Sequence, residues 1–405
     1  MIKEKNIYDK LITLMIALLV FGNIGGALQP IRIFVIICIP FVMKYFMVRP
    51  LIRQHYRYES LFFVFWWIWA VVSLIWAIKP NESIKEILYL TVNFFILFVV
   101  IWLANNAQNP QKSIIRGWIF LFLLTVPIAL CELLFDVHLS LSFHDSDVMM
   151  NYGTFVFERR YASVTFGNLN GYNTILCYII PFIIINFYKT SSKGNFIYYI
   201  VLTTLISVII IWNGSRSAIL ILGIVLLLFY FYYSKKSKSI FILFLILTAV
   251  SGYLIFVYFG DIFGVIFTRF QEQGLEDVGR LENIECGIDA LLNSSLLGVG
   301  VGNYAPVMEQ EYRLGIINPH NMMLEIVVQY GILILTGFLI FVFRILKKAK
   351  QNEDTSNKTM VVIALCIFPL AMIIDSSHLL NPSVWLFFAS LYIIADQYYN
   401  RSYTC

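Results

Sequence analysis

The chain has 405 residues, of which 60% are hydrophobic and only 13% charged, with a formal net charge of +5 and a mean hydropathy of +0.78. Soluble domains carry about 25% charged and 45–50% apolar residues, so a water-soluble globular protein is excluded. The composition instead leaves room for about a dozen membrane helices of roughly 20 residues each. A nucleic-acid reader needs a contiguous basic stripe, and none is present, so nucleic acid is not an expected partner. The six cysteines include no CxxC pair, which removes structural-zinc and disulfide frameworks.

In chain order, apolar runs predict helices at 11–28, 31–48, 61–77, 87–104, 114–135, 171–188, 196–212, 216–233, 240–260, 322–344, 359–379 and 382–396. The expected fold is an all-α integral membrane protein, one polytopic domain over 1–405 with about 12 transmembrane helices. Outer loops are expected at 136–170 and, larger, at 261–321, between helices 9 and 10. The first run follows Lys3, Lys5 and Lys10. It is expected to be retained rather than cleaved as a signal, because a second apolar run follows at once. Alternate connecting segments hold the dense basic clusters, among them Arg49, Arg53 and Arg57; Lys235, Lys236 and Lys238; and Arg344, Lys347, Lys348 and Lys350. The positive-inside rule then puts both termini in the cytoplasm. Arg32, Arg159, Arg160, Arg216, Arg280 and Arg313 fall on the outer side. Within 261–321, Leu281, Ile284, Ile288 and Leu291 follow a helical stripe. An amphipathic helix near 280–293 is therefore expected to lie on the membrane surface or cap the bundle.

The polar residues of the outer side carry the candidate chemistry. Asn318-Pro319-His320-Asn321 precedes the run 322–344 and reads as a helix start, with His320 in the first turn. The positive end of the helix dipole there favours a neutral imidazole, suited to act as general base on a sugar hydroxyl; the plainer reading is an interfacial cap. Arg216, in Asn213-Gly214-Ser215-Arg216-Ser217, is either a snorkelling anchor or a planar fork for phosphate oxygens. Arg280, after Gly279, can reach a phosphate or pair with Glu282 or Glu285. Arg159-Arg160-Tyr161, leading to Asn168-Leu169-Asn170, is a solvated loop or part of an anionic site. Leu297-Gly298-Val299-Gly300-Val301-Gly302-Asn303-Tyr304 lacks the preceding strand and the lysine of a phosphate-binding loop and is expected to be a flexible turn. Glu325 is off the His320 face of its helix. Asp375 and His378, three apart on the helix predicted at 359–379, share a face; all three are expected to be buried hydrogen-bonding groups. No HExxH, clustered metal ligands or GxSxG occurs, so no metal or cofactor is expected.

These motifs together resemble the O-antigen ligase and O-antigen polymerase family of bacterial membrane glycan transferases. His320-Asn321 followed at the right interval by Gly331 fits the family's signature after its large loop, although Ile334 stands where a small or polar residue is expected. Gly214-Ser215-Arg216 matches the Ser-Arg turn. Gly279-Arg280 with Leu296-Leu297-Gly298-Val299-Gly300 matches the loop arginine and its Gly-rich sequel. Arg160 through Asn170 looks like the Arg…Gly-Asn-x-Asn segment, with Leu169 where Pro is commoner. The resemblance spans roughly 150–335.

What the resemblance implies is a metal-independent glycosyltransferase in the bacterial plasma membrane, joining undecaprenyl-diphosphate-linked oligosaccharide units on the outer face. It implies His320 as catalytic base and Arg216, Arg280 and Arg160 as diphosphate ligands. Asn321, Ser215, Asn170 and Tyr304 would support them. The partners it implies are the lipid-linked donor, a glycan acceptor, the lipid bilayer and polysaccharide-assembly proteins. A polymerase for capsule, exopolysaccharide or O-antigen is the favoured branch, with a ligase moving the finished glycan to another acceptor as the alternative. A transporter or flippase for lipid-linked sugars is the competing class, for which internal repeats would be expected and none is seen.

Overall fold

The computed structural model describes residues 6–139, 150–152, 155–157, 160–189, 193–233, 278–314 and 318–396, with isolated positions between 242 and 257. Its helices are α1 (Ile7–Ala17), α2 (Pro30–Val48), α3 (Pro50–His55), α4 (Arg57–Val72), α5 (Pro80–Asn106), α6 (Pro110–Phe135), α7 (Leu169–Lys189), α8 (Lys193–Asn213) and α9 (Arg216–Tyr233). They continue with α10 (Val278–Asn293), α11 (Tyr304–Gln310), α12 (Met322–Lys350), α13 (Thr355–Ala371) and α14 (Pro382–Ala395). A small antiparallel hairpin pairs β1 (Met150–Tyr152) with β2 (Phe155–Phe157). Every predicted apolar run falls on a described helix except 240–260, which lies outside the described residues apart from isolated positions. Proline opens α2, α5, α6 and α14, where its missing N–H costs nothing.

Two runs end earlier than the sequence suggests. The first helix stops at Ala17 and passes through a short 3-10 turn, Leu18–Phe21, into a turn whose Gly22, Gly25 and Gly26 all have positive φ. The run 359–379 stops at Ala371, and His378–Leu380 forms a separate 3-10 turn after Ser377 adopts φ 56°. Asp375 and His378 therefore do not share a helix face. They stand on the loop that joins α13 to α14.

Among the described residues, six helices are long and apolar enough to cross a membrane: α2, α4 with its 3-10 extension to Ile75, α5, α6, α7 to Asn186, and α12. The chain is a multi-pass membrane protein. Large apolar side chains such as Ile37 and Phe41 on α2, Leu61 and Val64 on α4, and Leu333 and Phe343 on α12 face outward, as helices solvated by lipid must. α14 is buried along its whole length, as an all-round apolar helix should be. Its Trp385 meets Trp66 of α4 and Phe94 of α5 with ring centroids 5.8 and 5.1 Å apart.

Hydrogen bonds sort the connecting segments into two ends of the bundle. At one end Asn6 Nδ2 donates to Asn106 O (2.7 Å), Asp9 accepts from Asn109 N (3.0 Å), His55 Nε2 meets Asp396 Oδ2 (2.9 Å), and Asn352 Nδ2 donates to Ile394 O (2.9 Å). At the other, Asn23 N donates to Thr165 O (2.8 Å), Arg32 Nη2 to Leu380 O (2.7 Å), Lys79 N to Asn303 Oδ1 (2.7 Å) and Arg280 Nη1 to Ile373 O (3.0 Å). The first end holds Asn6 and Asp396, the first and last described residues, and the basic clusters at 49–57 and 344–350. The second holds the candidate residues.

Candidate functional site

Three segments build the second end around the loop 372–381. The first is the start of α12. Asn321 is its cap: its Oδ1 accepts from Met323 N (2.9 Å) and Leu324 N (3.3 Å), satisfying donors the helix cannot. The helix thus begins at Met322, later than the Asn-Pro signal suggests, and His320 stands just ahead of the cap rather than in the first turn. One turn in, buried Glu325 accepts from His378 N (2.9 Å), which ties α12 to the loop. His320 is close enough to oppose protonation of His378. Burial is the larger cause, and together they push the His378 imidazole down to about 4.

The second segment is α10. The helix forms where its sequence places it, but its buried face is Asn283, Gly287, Ala290 and Leu291, while Leu281 and Ile288 are exposed. Small residues win the inner face because α12 and α11 come close: a Cβ on Gly287 would lie 3.2 Å from Leu324 and 3.3 Å from the Tyr304 hydroxyl. Asn283 is the hub. Its Nδ2 donates to Asn318 O (3.0 Å), and its Oδ1 accepts from buried Tyr304 Oη, whose phenol burial pushes well up. Arg280, half-buried a turn earlier, donates from Nη1 to Ile373 O (3.0 Å) at the head of the loop. Arg280, Tyr304, His320 and Asn321 are therefore brought together.

The Gly-rich segment after α10 is no flexible turn. Val299 N and Gly300 N donate to Val328 O (2.8 Å) and Gln329 O (3.1 Å), and Ile332 N donates to Leu296 O (3.1 Å). These bonds insert the segment against α12 where Gly331 breaks the helix with φ 80° and ψ 178°, a conformation open to glycine alone at low cost. A Cβ on Gly298 would meet Gln329 O at 2.6 Å. Trp69 and Trp76 donate to the carbonyls of Tyr330 (2.8 Å) and Gly298 (2.9 Å), so two acceptors beside the break are satisfied.

The third segment joins α7, α8 and α9. Asn168 Oδ1 accepts from Gly171 N (2.8 Å) and caps α7. Asn170, in the first turn, presents its carbonyl to Thr174 Oγ1 (2.9 Å). Buried Asn213 bonds Ala162 N (2.8 Å) and Ala162 O (3.1 Å), and reaches Asn173 Oδ1 (3.0 Å). The Ser215-Arg216 turn is thereby fastened to the 160–170 segment. Arg216 is half-buried as the first residue of α9, which packs on α13. Arg160 is exposed and donates to Leu134 O (2.8 Å) at the end of α6. Glu132, fully buried, accepts from Ser163 N (2.7 Å) and Val164 N (2.8 Å).

Asn213, Asn283 and Glu132 were not singled out in the sequence. Glu132 carried the clearest signal, a lone carboxylate inside the apolar run 114–135, the kind of intramembrane ionisable group that marks a built site. Among the described residues, no cluster of side chains suited to a metal ion occurs.

The fold defines a multi-pass membrane protein whose candidate residues, cations and a histidine among them, gather at one end of the bundle. Residues 201–342 match the O-antigen ligase family, a stretch that takes in Arg216, Arg280, Tyr304, His320, Asn321 and Gly331 and leaves Arg160 and Asn170 upstream. The chain is similar to the teichuronic acid biosynthesis protein TuaE of Bacillus subtilis (strain 168), 24% identical over 365 residues that cover 84% of this chain and 72% of the relative. The resemblance to the O-antigen ligase and polymerase family seen in the motifs is borne out by both.

Proposed function

We propose that the chain is a polysaccharide polymerase that joins oligosaccharide units carried on undecaprenyl diphosphate, on the outer face of the bacterial plasma membrane. The observation that carries this reading is that α10 fastens Arg280 to the loop at Ile373 and, one turn on, Asn283 to Tyr304 and to Asn318, two residues before His320, inside the stretch that matches the O-antigen ligase family. His320 takes the proton of the acceptor hydroxyl as its oxygen attacks the anomeric carbon of the donor. The bond from that carbon to the diphosphate oxygen breaks, and the lipid diphosphate leaves with the electron pair. Inversion at the anomeric carbon follows from a single displacement. Arg216 and Arg280 hold the diphosphate and neutralise the charge that builds on it, with Arg160 at the rim. Asn321 caps the start of α12, Ser215 and Asn170 support the site at the starts of α9 and α7, and backbone N–H groups at those starts add positive potential. No metal is required, because cationic side chains supply the electrophilic assistance.

The topology belongs to the same proposal: about 12 spans, one polytopic domain over 1–405, outer segments at 136–170 and 261–321, and both termini cytoplasmic. It is supported by the two-ended sorting of connecting segments, since the basic end is the one the positive-inside rule places in the cytoplasm.

Purified protein in nanodiscs, given a lipid-diphosphate-linked oligosaccharide with chelator and no nucleotide, is expected to produce a ladder of longer glycans. A single transfer to a second acceptor, without a ladder, would make it a ligase. Uptake of the lipid-linked sugar into sealed vesicles at unchanged glycan length would overturn the transferase reading in favour of a transporter.

A further inference from the structure

Behind the loop 372–381 lies a cavity of about 260 Å³, close to the lower bound of about 300 Å³ for small-molecule sites. Its walls come from the turn after α1, the start of α2, the start of α7 and the loop itself, and its lining includes Asn23, Arg32, Asn168, Asp375, Ser377 and Asn381. The walls are fastened to one another. Asn23 Nδ2 donates to Phe166 O (3.1 Å), Arg32 donates to Gly26 O (3.1 Å) and Leu380 O (2.7 Å), and Asn93 Nδ2 donates to Leu379 O (2.9 Å). Arg32 is 6% exposed, stacks 4.2 Å above the Tyr89 ring, and keeps its Nε buried with no hydrogen-bond partner. Asp375 lines the same cavity beside the start of α7, where a Cβ on Gly171 would lie 3.4 Å from its Oδ2, and burial pushes its carboxyl up to about 6.

We propose that this cavity is a carbohydrate subsite that takes one pyranose ring, with the Arg32 guanidinium and the Asp375 carboxyl engaging ring hydroxyls and the Asn and Ser side chains completing the contacts. Each ring hydroxyl is donor and acceptor at once, which matches a lining that mixes a fixed donor, an acceptor and bifunctional amides. A diphosphate fits poorly, because Asp375 would face it. The inference deepens the reading above and rests on it for the nature of the ligand. The loop that lines the cavity on one side holds Arg280 and Glu325 on the other, so a ring seated here would be held beside the proposed diphosphate site by one backbone segment.

The test is saturation-transfer NMR of a panel of methyl pyranosides against the full chain in nanodiscs, with Asp375→Asn and Arg32→Gln compared at matched thermal stability. At least one pyranoside is expected to bind, and each variant should weaken it at least tenfold. Asp375→Asn is the decisive variant, since it keeps shape while Arg32→Gln also loosens two backbone contacts. Equal binding by both variants, absence of any pyranoside signal, or Arg32-dependent binding of inorganic pyrophosphate alone would overturn the subsite. The assay needs no lipid-linked donor. A parent protein that elongates glycans but binds no pyranoside loses only this inference. One that binds pyranosides without elongating anything loses the polymerase reading instead.

Discussion

At the scale of single residues, the proposed base and its hub make separable predictions. His320→Ala should lower turnover by about 10²-fold or more, the usual worth of a positioned general base, with little change in donor KM; a gel assay of glycan length against time reads both. A turnover matching the parent's would remove His320 from the mechanism. Asn283→Leu removes the side-chain partner of Tyr304 Oη and Asn318 O, leaving Tyr304 only its longer bond to the main-chain O of residue 283 (3.3 Å), and should destabilise by about 1 kcal/mol, measured by thermal unfolding in detergent. The loop residues carry a pH signature. His378 is held at about 4 against an ordinary 6.5, so the folded state binds fewer protons and loses stability as pH falls from about 6.5 to 4. Asp375 is held at about 6 against 3.8, so the folded state binds more protons and gains stability over nearly the same window. The two slopes oppose, and Asp375→Asn should unmask acid lability between pH 6.5 and 4 that the parent largely lacks. His320 and Arg280 were legible because Asn-Pro-His-Asn and Gly-Arg are local signals. Arg32 was read only as an outer-side cation, because what makes it a site residue is a carbonyl at Leu380, far along the chain.

At the scale of elements, the instructive failure is the stretch 296–302. Three alternating glycines read locally as looseness, yet here they allow backbone to lie against backbone at the break in α12, and their partner is the glycine at 331. A glycine pattern alone does not distinguish freedom from close approach; the distinction lies in what packs on it. α10 shows the same limit. Its large apolar residues drew attention to one stripe, while the buried face is the one with Gly287 and Ala290, where neighbouring helices come nearest. Gly331→Ala should therefore be severe, because it forces φ 80° on a residue with a side chain and drives its Cβ into Leu296 O. Gly223→Ala, in the open middle of α9, should be neutral or stabilising by up to about 1 kcal/mol. Paired melting curves of the two variants check this, and equal effects would mean that the break in α12 is not set by Gly331.

At the scale of the whole molecule, the helices were the most legible feature and their partners the least. Apolar runs report on lipid and interior alike, so they located helices but could not single out α14 as buried along its whole length. Alternation of charge carried more, because it predicts which connecting segments share an end, and the hydrogen bonds of the two ends agree with that division. The side each end faces follows from the positive-inside rule and can be measured independently of catalysis. In a background with the native cysteines replaced, Arg313→Cys, in the segment after α11, should react in intact cells with a membrane-impermeant maleimide. Lys350→Cys, at the end of α12, should react only after the membrane is opened. The expected pattern places His320, Arg216 and Arg280 where a lipid-linked glycan presented on the outer leaflet can reach them. The reverse pattern would turn the bundle over, put the cations on the cytoplasmic side, and require a donor presented there instead.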